Sequence, residues 1–343
     1  MPRKGKHANI PVFIPHMGCP HTCVFCDQRT ISGHRGFAPD SVRDTVEGVL
    51  ATLSPDTRVE IAFFGGSFTG IDRGLMCRLL DIAQSYVDVG RVSGIRLSTR
   101  PDYIDDAVLT ILSRYTVCAV ELGIQSLDDT VLTLSQRGHD SAAAVAACRS
   151  VVRAGFPLVG QMMIGLPGAT GESETKAARG IVSLGAAAAR VYPTVVFRGT
   201  ELGNMLLRGE YKALSERETV VRTADVLDVF AQADIPVLRV GLCASEQLSD
   251  ADAVLGGASQ AAIGEMAMGE IYYRRMAALL LSSGAESFGY RCVNFLVPRG
   301  ATSKALGQRR CNAHRLCEVF GLAGVRVTEA DGLPDYSVKL LDC

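Results

Sequence analysis

The stretch IPVFIPHMGCPHTCVFC, residues 10–26, joins a short apolar run to three closely spaced cysteines. The run IPVFI is typical of a buried strand, and Cys19, Cys23 and Cys26 follow it on one predicted loop. Loops at the carboxyl ends of strands carry the active sites of β/α folds. We therefore expect these three thiols to form a functional site at the end of the first strand.

Further apolar runs follow, separated by amphipathic segments. They are VEIAFF from Val59, GIRLS from Gly94, TVCAVELGI from Thr116, LVGQMMI from Leu158 and AARVYPTVV from Ala188. Runs that are apolar throughout suit the strands of a covered parallel sheet, and the segments between them suit crossover helices. Asp40 and Asp140 precede two of these segments, and we predict that they cap helix N-termini. The pattern predicts an α/β fold with a partial (β/α)6 TIM-like barrel, with an open doubly wound sheet as the alternative.

The barrel pattern ends with the predicted helix SERETVVRTADVLDVFAQA and the predicted strand IPVLRVGL. Residues from about 245 onward are rich in glycine and alanine and then become basic. We therefore predict a barrel domain over residues 1–242 and a small C-terminal α+β domain over residues 243–343.

The composition restricts the class of protein. Lys and Arg total 35 against 36 Asp and Glu, so the net charge gives no argument for a nucleic-acid or membrane partner, and an anionic partner would need a local patch. No apolar run reaches membrane-spanning length, and Pro11 and Pro15 interrupt the one near the N-terminus. We expect a cytoplasmic protein with no membrane partner. Eleven cysteines without an export signal indicate metal ligation and buried thiols instead of a disulfide framework.

The spacing C-x3-C-x2-C places three potential thiolate ligands on one loop. Three thiolates can hold three irons of a [4Fe-4S] cluster and leave the fourth iron open to a ligand, whereas a structural zinc site requires four closed ligands. A zinc site completed by His16, His21 or His34 is the alternative. We expect Phe25 to pack beside the metal centre.

This cysteine spacing resembles that of the radical S-adenosylmethionine (radical SAM) enzymes. Five later segments are similar to the group around the Elongator catalytic subunit and its shorter bacterial relatives, so that the resemblance covers roughly residues 8–242. They are AFFGGSFTG, RLSTRPDYID, ELGIQSLDDTVLTLSQRGHD, GQMMIGLPGATGES and RVYPTVVFRGTELGNMLLRGEY. The resemblance implies that the open iron binds the amino and carboxylate groups of S-adenosylmethionine. Cleavage of the sulfonium by one electron, from a reductant such as ferredoxin or flavodoxin, would then give a 5′-deoxyadenosyl radical that takes a hydrogen atom from the substrate.

The resemblance also implies which residues contact the cofactor. They are Gly65, Gly66, Ser98, Gln125, Arg137 and Gln161. The two glycines would let backbone approach the methionine amino group, Gln125 would bond the ribose hydroxyls, and Arg137 would clamp the carboxylate. Related enzymes often carry a carboxylate at the position of Ser98.

Other residues in these segments extend the predicted site. The turn 165–167, Gly-Leu-Pro, is similar to the adenine-binding wall of the family. Arg100 and Asp102 would pair with the cofactor, the substrate or each other, and a surface salt bridge is the alternative. His139 is either a substrate-side group or a residue at a helix entry.

The segment from Arg291 to Arg315 contains six Lys or Arg residues and no acid. It can hold phosphates of RNA or of a small anionic substrate, and the alternative is a basic surface that faces an acidic one. The aromatic residues nearest in sequence, on which unpaired bases would stack, are Tyr272, Tyr273 and Phe295.

The sequence thus predicts a radical SAM enzyme whose cofactors are a [4Fe-4S] cluster and S-adenosyl-L-methionine. The expected substrate is tRNA, by likeness to the Elongator radical half, which is associated with modification of the wobble uridine. Tyr192 and Arg198 are candidate substrate contacts, and a packing role is the alternative for Tyr192. A small anionic metabolite, as in the oxygen-independent coproporphyrinogen oxidases, is the second hypothesis, and a non-catalytic metal module that binds RNA or a protein is the third. Acetyl transfer is not expected, because we find no loop of the type that cradles coenzyme A in the larger relatives.

Overall fold

A computed structural model describes residues 7–14, 17–19, 23–26, 37–242, 252–283 and 290–341. Its largest part is a sheet of seven parallel strands that curls into a half-barrel, in the order β1-β2-β3-β4-β5-β6-β8. The strands are β1 (His7–Ile14), β2 (Arg58–Gly65), β3 (Gly94–Thr99), β4 (Val117–Gln125), β5 (Leu158–Ile164), β6 (Ala188–Pro193) and β8 (Val237–Val240), with β7 (Val195–Phe197) outside this sheet. The predicted α/β fold with a partial TIM-like barrel is confirmed.

Helices connect the strands and cover one face of the sheet. They are α1 (Ser41–Leu50), α2 (Arg73–Asp88), α3 (Asp106–Leu112), α4 (Asp129–Leu134), α5 (Ser141–Arg153), α6 (Gly171–Ser183), α7 (Glu201–Leu207) and α8 (Glu216–Gln232). Ile61, Phe63 and Leu97 from the strands pack with Leu79 and Leu227 from the helices in the main core. Each fully buried side chain of this kind contributes about 1.5–3 kcal/mol, so the apolar runs that predict the strands are also a main source of stability. We call the opposite face of the sheet, which does not face the helices, the inner face.

Two local predictions need correction. The predicted strand AARVYPTVV is two strands, because β6 ends at Pro193 and Val195–Phe197 pairs elsewhere. Asp140 caps α5 as predicted, since its carboxylate accepts a hydrogen bond from the Ala143 amide at 2.8 Å. The prediction for Asp40 is wrong: its backbone is already helical, its side chain makes no cap hydrogen bond, and its carboxylate pairs with Arg78.

The C-terminal part of the chain builds a second, smaller sheet. Strand β9 (Val254–Gly257) pairs with β7, and helix α9 (Ile263–Ser282) follows it. The remaining elements are β10 (Cys292–Pro298), α10 (Thr302–Leu306), α11 (Cys311–Phe320), β11 (Gly324–Ala330) and β12 (Lys339–Leu341), and the sheet order is β11-β10-β12. None of the helices that the structure describes is long and apolar enough to span a bilayer.

Helix α9 belongs to both hydrophobic cores. Ala267 and Ile271, in its first half, are buried in the barrel core, whereas Met276 and Leu280 are buried in the core of the smaller sheet together with Phe295. The predicted domain boundary between residues 242 and 243 adjoins the range 243–251, which lies outside the described residues. The division into two domains therefore stays a prediction.

Candidate functional site

The first part of the cysteine loop is fixed against the turn that follows β2. The Gly66 amide donates to the carbonyl of Ile14 at 2.7 Å, and the Ser67 amide donates to the carbonyl of Met17 at 2.8 Å. Cys19 is half-buried directly after these contacts. Because β1 and β2 are neighbouring parallel strands, their carboxyl ends bring the loop and the turn together, as the sequence predicts.

The two glycines of the turn are required by this packing. Gly65 has φ +108°, and a Cβ on Gly66 would lie 2.0 Å from the carbonyl oxygen of Met17. The sequence predicts a close backbone approach here, but to a ligand. In the structure the approach is to the protein's own backbone, immediately before Cys19, and the contact with a cofactor remains a prediction.

The second part of the loop is fixed on the other side. The Val24 amide donates to the carbonyl of Ser135 at 3.2 Å, and the Leu202 amide donates to the carbonyl of Val24 at 2.7 Å. Cys23 is buried and Cys26 is half-buried. Phe25 packs against the apolar cluster that contains Leu202, so it anchors the loop. His16, His21 and His34, proposed as zinc ligands, lie outside the described residues.

Arg137 is buried beside the cysteines, as its predicted role requires. Its Nη1 lies 3.3 Å from Cys23 Sγ, its Nη2 donates to the carbonyl of Gly123 at 2.7 Å, and its Nε has no hydrogen-bond partner in the described part of the chain. Burial raises the pKa of the Cys19 thiol above its ordinary value, and the positive charges of Arg100 and Arg137 oppose this increase. The two arginines therefore favour a thiolate or another anion at this point.

Arg100 and Asp102 pair with each other, which is one of the three partners considered for them. The guanidinium donates to both carboxylate oxygens at 2.9 and 2.8 Å, and it also donates to the carbonyl of Arg137 at 2.7 Å. The side chain of Arg100 is 3% exposed and that of Asp102 is 24% exposed, so the pair is half-buried and not a fully solvated surface salt bridge. Burial alone would raise the pKa of Asp102, but the hydrogen bonds and the positive charge of Arg100 hold it well below its usual range. This pair positions Arg137 through its backbone.

His139 is buried next to this pair. Its Nδ1 lies 3.6 Å from Asp102 Oδ1, beyond hydrogen-bond distance, and neither ring nitrogen has a hydrogen-bond partner among the residues described. Burial lowers the pKa of His139. The imidazole is therefore neutral near pH 7, and it lies just before the cap of α5.

Gln125 ends β4 in a strained conformation. Its φ is +66°, a region that residues other than glycine rarely adopt, and the pairing of β4 with β5 shifts between Gly123 and Gln125. Its buried Oε1 has no hydrogen-bond partner within the described ranges. A buried acceptor without a partner is costly, so it points to a donor that the described residues do not supply.

A hydroxyl cluster that no sequence pattern predicts joins the turn after β2 to the end of β3. Ser67 Oγ and Thr69 Oγ1 lie 2.8 and 2.6 Å from Thr99 Oγ1, and the Arg100 amide donates to Ser67 Oγ at 3.2 Å. All these side chains are buried. The cluster fixes the glycine turn relative to Arg100, and it could be found only from the spatial proximity of two strand ends.

The turn 165–167, predicted as an adenine-binding wall, follows β5 and lines a cavity of about 220 Å³. The Gly165 amide donates to Glu174 Oε1 at 2.7 Å, and Tyr211 Oη donates to the Gly165 carbonyl at 2.6 Å. Arg222 forms an ion pair with Glu174. Burial raises the pKa of Glu174, and Arg222 opposes this increase. Neither Glu174 nor Arg222 was identified from the sequence, because they lie 48 positions apart. They position the turn, whose contact with adenine stays a prediction.

The inner face of the sheet carries a chain of alternating charges. Arg96 bonds Glu60 Oε2 and Glu121 Oε1, both at 2.9 Å, and Arg190 Nε lies 2.8 Å from Glu121 Oε2. Glu60 and Glu121 are almost fully buried. Two carboxylates are thus compensated by two guanidiniums, so these four groups contribute no net charge to the inner face.

The predicted cofactor residues Ser98 and Gln161 lie on this inner face. Ser98 lies two positions after Arg96 in β3, and Gln161 lies two positions before Met163 in β5, so each pair is on the same face of its strand. Both Ser98 and Gln161 are half-buried. Tyr192 is also half-buried there, and Arg190 Nη1 lies 3.4 Å from its hydroxyl. The structure therefore places Ser98, Gln161 and Tyr192 on one surface next to the cysteine end of the sheet.

Several predicted substrate contacts lie elsewhere. Arg198 follows β7 instead of ending β6, and its Nε donates to the carbonyl of Asp252 at 2.8 Å. Tyr272, Tyr273 and Phe295 are buried in the core of the smaller sheet, so they offer no exposed ring on which a base could stack. The reason is that apolar ring area is more stable inside a small core than in water.

The donor set at the cysteine loop suits a soft metal centre. Within the described residues, no three histidine, cysteine or acidic side chains stand close enough together to hold a metal ion as they are. Three thiols on one loop nevertheless match the preference of iron–sulfur clusters for thiolate ligands, and metal binding itself deprotonates thiols. Gln125 Oε1 and Arg137 Nε, which have no partner within the described part of the chain, fit a polar, anionic ligand at the same end of the sheet.

Two family profiles match the sequence. The profile of the Radical SAM superfamily matches residues 13–179, and that of the Radical_SAM C-terminal domain matches residues 186–272. The second match crosses the predicted domain boundary.

Individual relatives and one solved structure are also similar. An uncharacterized protein of Methanocaldococcus jannaschii is 29% identical over 237 residues, 66% of this chain and 72% of that protein. The tRNA uridine(34) acetyltransferase of the same organism is 25% identical over 243 residues, 59% of this chain and 45% of its own length, so the match spans about half of that relative. The structure of archaeal Methanocaldococcus infernus Elp3 with an N-terminal deletion covers 79% of this chain and 68% of its own, with a TM-score of 0.58 at 20% identity. This last likeness is one of fold.

Proposed function

We propose that this chain, which belongs to the radical SAM superfamily of enzymes, cleaves S-adenosylmethionine reductively and removes a hydrogen atom from a tRNA nucleotide. The observation that carries this proposal is the position of Arg137, which contacts both Cys23 and the β4 carbonyl of Gly123 at the carboxyl end of the sheet. That contact brings the cysteine loop, the strained Gln125 and the inner face to one place.

In this proposal Cys19, Cys23 and Cys26 hold three irons of a [4Fe-4S] cluster, whose fourth iron is left to S-adenosylmethionine. When bound, the cluster and the nucleotide supply a one-electron cleavage that yields a hydrogen-abstracting radical. A ferredoxin or flavodoxin would supply the electron. Both this donor and the cytoplasmic location remain predictions.

The chain's own residues bind and orient the nucleotide. Arg137 offers its Nε–H to the carboxylate and Gln125 offers its Oε1 to a ribose hydroxyl, since neither atom has a partner among the residues that the structure describes. Gly65 and Gly66 shape the turn near the amino group, while Ser98 and Gln161 supply neutral polar groups on the inner face. The turn 165–167 would cover the adenine. The role of the protein is to fix one substrate C–H bond near the radical and to exclude water.

The inner face favours a nucleobase over a polyanionic metabolite. The buried Glu60 and Glu121 compensate the half-buried Arg96 and Arg190, so these four groups offer no excess of positive charge to several carboxylates. Two half-buried aromatic rings, Phe13 and Phe64, lie 6.4 Å apart on the same face, and rings of this kind stack bases. The tRNA uridine(34) acetyltransferase among the relatives supports the same substrate class. Acetyl transfer is not part of the proposal, and superfamily membership disfavours the non-catalytic metal module.

The test compares wild type with Cys23→Ala and, as a matched control, Cys77→Ala, which removes a thiol on α2. Each protein is reconstituted with iron and sulfide without air, reduced with dithionite and assayed for 5′-deoxyadenosine with and without bulk tRNA. We expect product from wild type and Cys77→Ala, none from Cys23→Ala, and faster formation with tRNA.

Two results would contradict the proposal in different ways. Wild type that binds one zinc and leaves S-adenosylmethionine intact on reduction would refute the radical chemistry. Product formation that bulk tRNA leaves unchanged would refute the RNA substrate and favour the small anionic metabolite.

A further inference from the structure

A second, larger cavity lies between helices α8 and α9 and the segment 303–315. Its volume is about 730 Å³, and it shares no lining residue with the cavity at the turn 165–167. The basic segment recognised in the sequence forms one of its walls. Nothing in the proposed radical chemistry uses this cavity.

The cavity has an excess of positive charge. Five cationic side chains line it against three carboxylates, Glu216, Glu265 and Glu270, and the first two of these are exposed. The cations are Arg217, Lys304, Arg309, Arg310 and Arg315. This excess is local, because the whole chain carries a formal net charge of −1.

One buried carboxylate holds several of these arginines in place. Glu270 is 5% exposed and lies 2.8 Å from Arg217 Nη1, 3.0 Å from Arg315 Nη1 and 3.1 Å from Arg274 Nε. Arg274 also forms an ion pair with Asp225, so two carboxylates face three guanidiniums and one positive charge remains. Arg315 also lies 3.6 Å above the ring of Tyr273, which fixes the plane of its guanidinium.

Three further cations lack a carboxylate partner. Lys304, Arg309 and Arg310 form no ion pair with any residue the structure describes, and Arg310 only donates to the carbonyl of Val325 at 3.3 Å. Arg309 and Arg310 have φ of +51° and +61°, a conformation that suits glycine or asparagine. Backbone preference therefore does not explain arginine at either position, whereas a ligand that needs their charge does.

We propose that this cavity binds a phosphate group, either of an RNA backbone or of a small phosphate ester. Arginine guanidiniums match phosphate oxygens in geometry and charge, and a positively charged concave wall concentrates such anions. The RNA source rests on the proposed function, since it would make the cavity a second contact for the tRNA substrate. The small-ester source does not depend on it.

The test uses the double substitution Arg309→Gly and Arg310→Gly in the full chain. Glycine suits the left-handed backbone at both positions, so the variant loses two charges without a conformational reason to unfold, and thermal unfolding of the variant is the check on this. Lys304→Gln is a second variant that leaves the backbone unchanged. The matched control is the double substitution Arg299→Gln and Arg326→Gln, which removes two exposed charges of the same region that do not line the cavity.

Two binding measurements distinguish the sources. Titration calorimetry with inorganic pyrophosphate is expected to show at least tenfold weaker binding for the double glycine variant and wild-type binding for the control. Retention of bulk tRNA is measured across a salt series. For the double glycine variant, the slope of log affinity against log salt is expected to become shallower by about 1.4, because each lost phosphate contact removes about 0.7 for a single strand. A loss in both measurements assigns RNA phosphates to the cavity, and a loss with pyrophosphate alone assigns a small ester.

The proposal is overturned if both substituted proteins, the double glycine variant and Lys304→Gln, match wild type in both measurements. Neither measurement requires iron or cleavage of S-adenosylmethionine. A failure of the radical chemistry would therefore not change the interpretation of these binding measurements. A negative binding result would likewise not change the test of the radical chemistry.

Discussion

Arg137 Nη1 lies 3.3 Å from Cys23 Sγ and joins two residues that are 114 positions apart in the chain. The same guanidinium bonds the carbonyl of Gly123, in the middle strand of the sheet. One side chain therefore sets the position of the cysteine loop relative to the end of β4. Its backbone carbonyl is held in turn by Arg100.

Substitution Arg137→Lys is expected to weaken the binding of S-adenosylmethionine by roughly 10- to 100-fold, since hydrogen bonds to charged groups contribute about 1.5–3 kcal/mol. A lysine ammonium keeps the charge but cannot bond Cys23 and Gly123 and retain a third donor in the same plane. Equilibrium dialysis with the reconstituted protein measures this, and Arg153→Lys on the exposed surface of α5 is the control. Unchanged affinity in Arg137→Lys would remove the carboxylate clamp from the proposal.

Substitution Gly66→Ala is expected to displace the backbone before Cys19. The added Cβ would lie 2.0 Å from the carbonyl oxygen of Met17, and relief of such overlap costs about 1–3 kcal/mol. We expect a lower unfolding midpoint and less than half of the wild-type iron after reconstitution. Gly48→Ala is the matched control, because its Cβ meets nothing within 4 Å and alanine favours the interior of α1. Equal iron in the two variants would show that the turn does not position the loop.

The sequence predicts the strands well because their apolar runs record burial directly. Leu158–Ile164 has the predicted bounds, since the turns that flank it are marked by proline and glycine. The error at residues 188–196 has the opposite cause. An apolar run does not show which sheet it joins, and Val195–Phe197 pairs with a strand near residue 255 that no local pattern indicates.

The candidate site is only partly visible in the sequence. Spacing identifies the cysteines, and a glycine pair after a strand identifies the turn. The charge chain on the inner face joins Glu60, Arg96, Glu121 and Arg190, whose bonded pairs lie 25 to 69 positions apart. No motif records such distances. The alternation of polar residues along β3 and β6 was the available signal.

Substitution Glu121→Gln tests whether the inner face depends on charge compensation. Glu121 is 1% exposed and bonds both Arg96 and Arg190, so its removal leaves the half-buried Arg190 without a carboxylate partner among the described residues, while Arg96 keeps Glu60. Loss of one partner from a buried network of this kind costs about 3–5 kcal/mol, which urea unfolding at pH 7 would measure. Glu210→Gln, which removes an exposed partner of Arg208, is expected to unfold at the wild-type urea concentration. If Glu121→Gln also unfolds like wild type, water or a counter-ion compensates the arginines and the inner face is open to anions.

Substitution Glu270→Gln gives a prediction for the dependence of stability on pH. Burial alone would raise the pKa of Glu270, but the hydrogen bonds from Arg217 and Arg274 and the charge of Arg315 hold it below the ordinary value of 4.5. Since the pKa is lower in the folded state, the carboxylate contributes stability that is fully present above about pH 4.5 and is lost as the pH falls through the folded pKa.

At pH 7 the variant Glu270→Gln should be less stable than wild type by about 2 kcal/mol. This is below the usual cost for a fully buried network, because the side chains of Arg217, Arg274 and Arg315 are 56%, 37% and 39% exposed. The difference in unfolding midpoint between wild type and variant should then shrink as the pH is lowered from 7 to 3.5. Glu265→Gln, an exposed carboxylate on the same helix, should keep the wild-type profile. A constant difference across this range would show that the ion pairs of Glu270 do not stabilise the helix α9 interface.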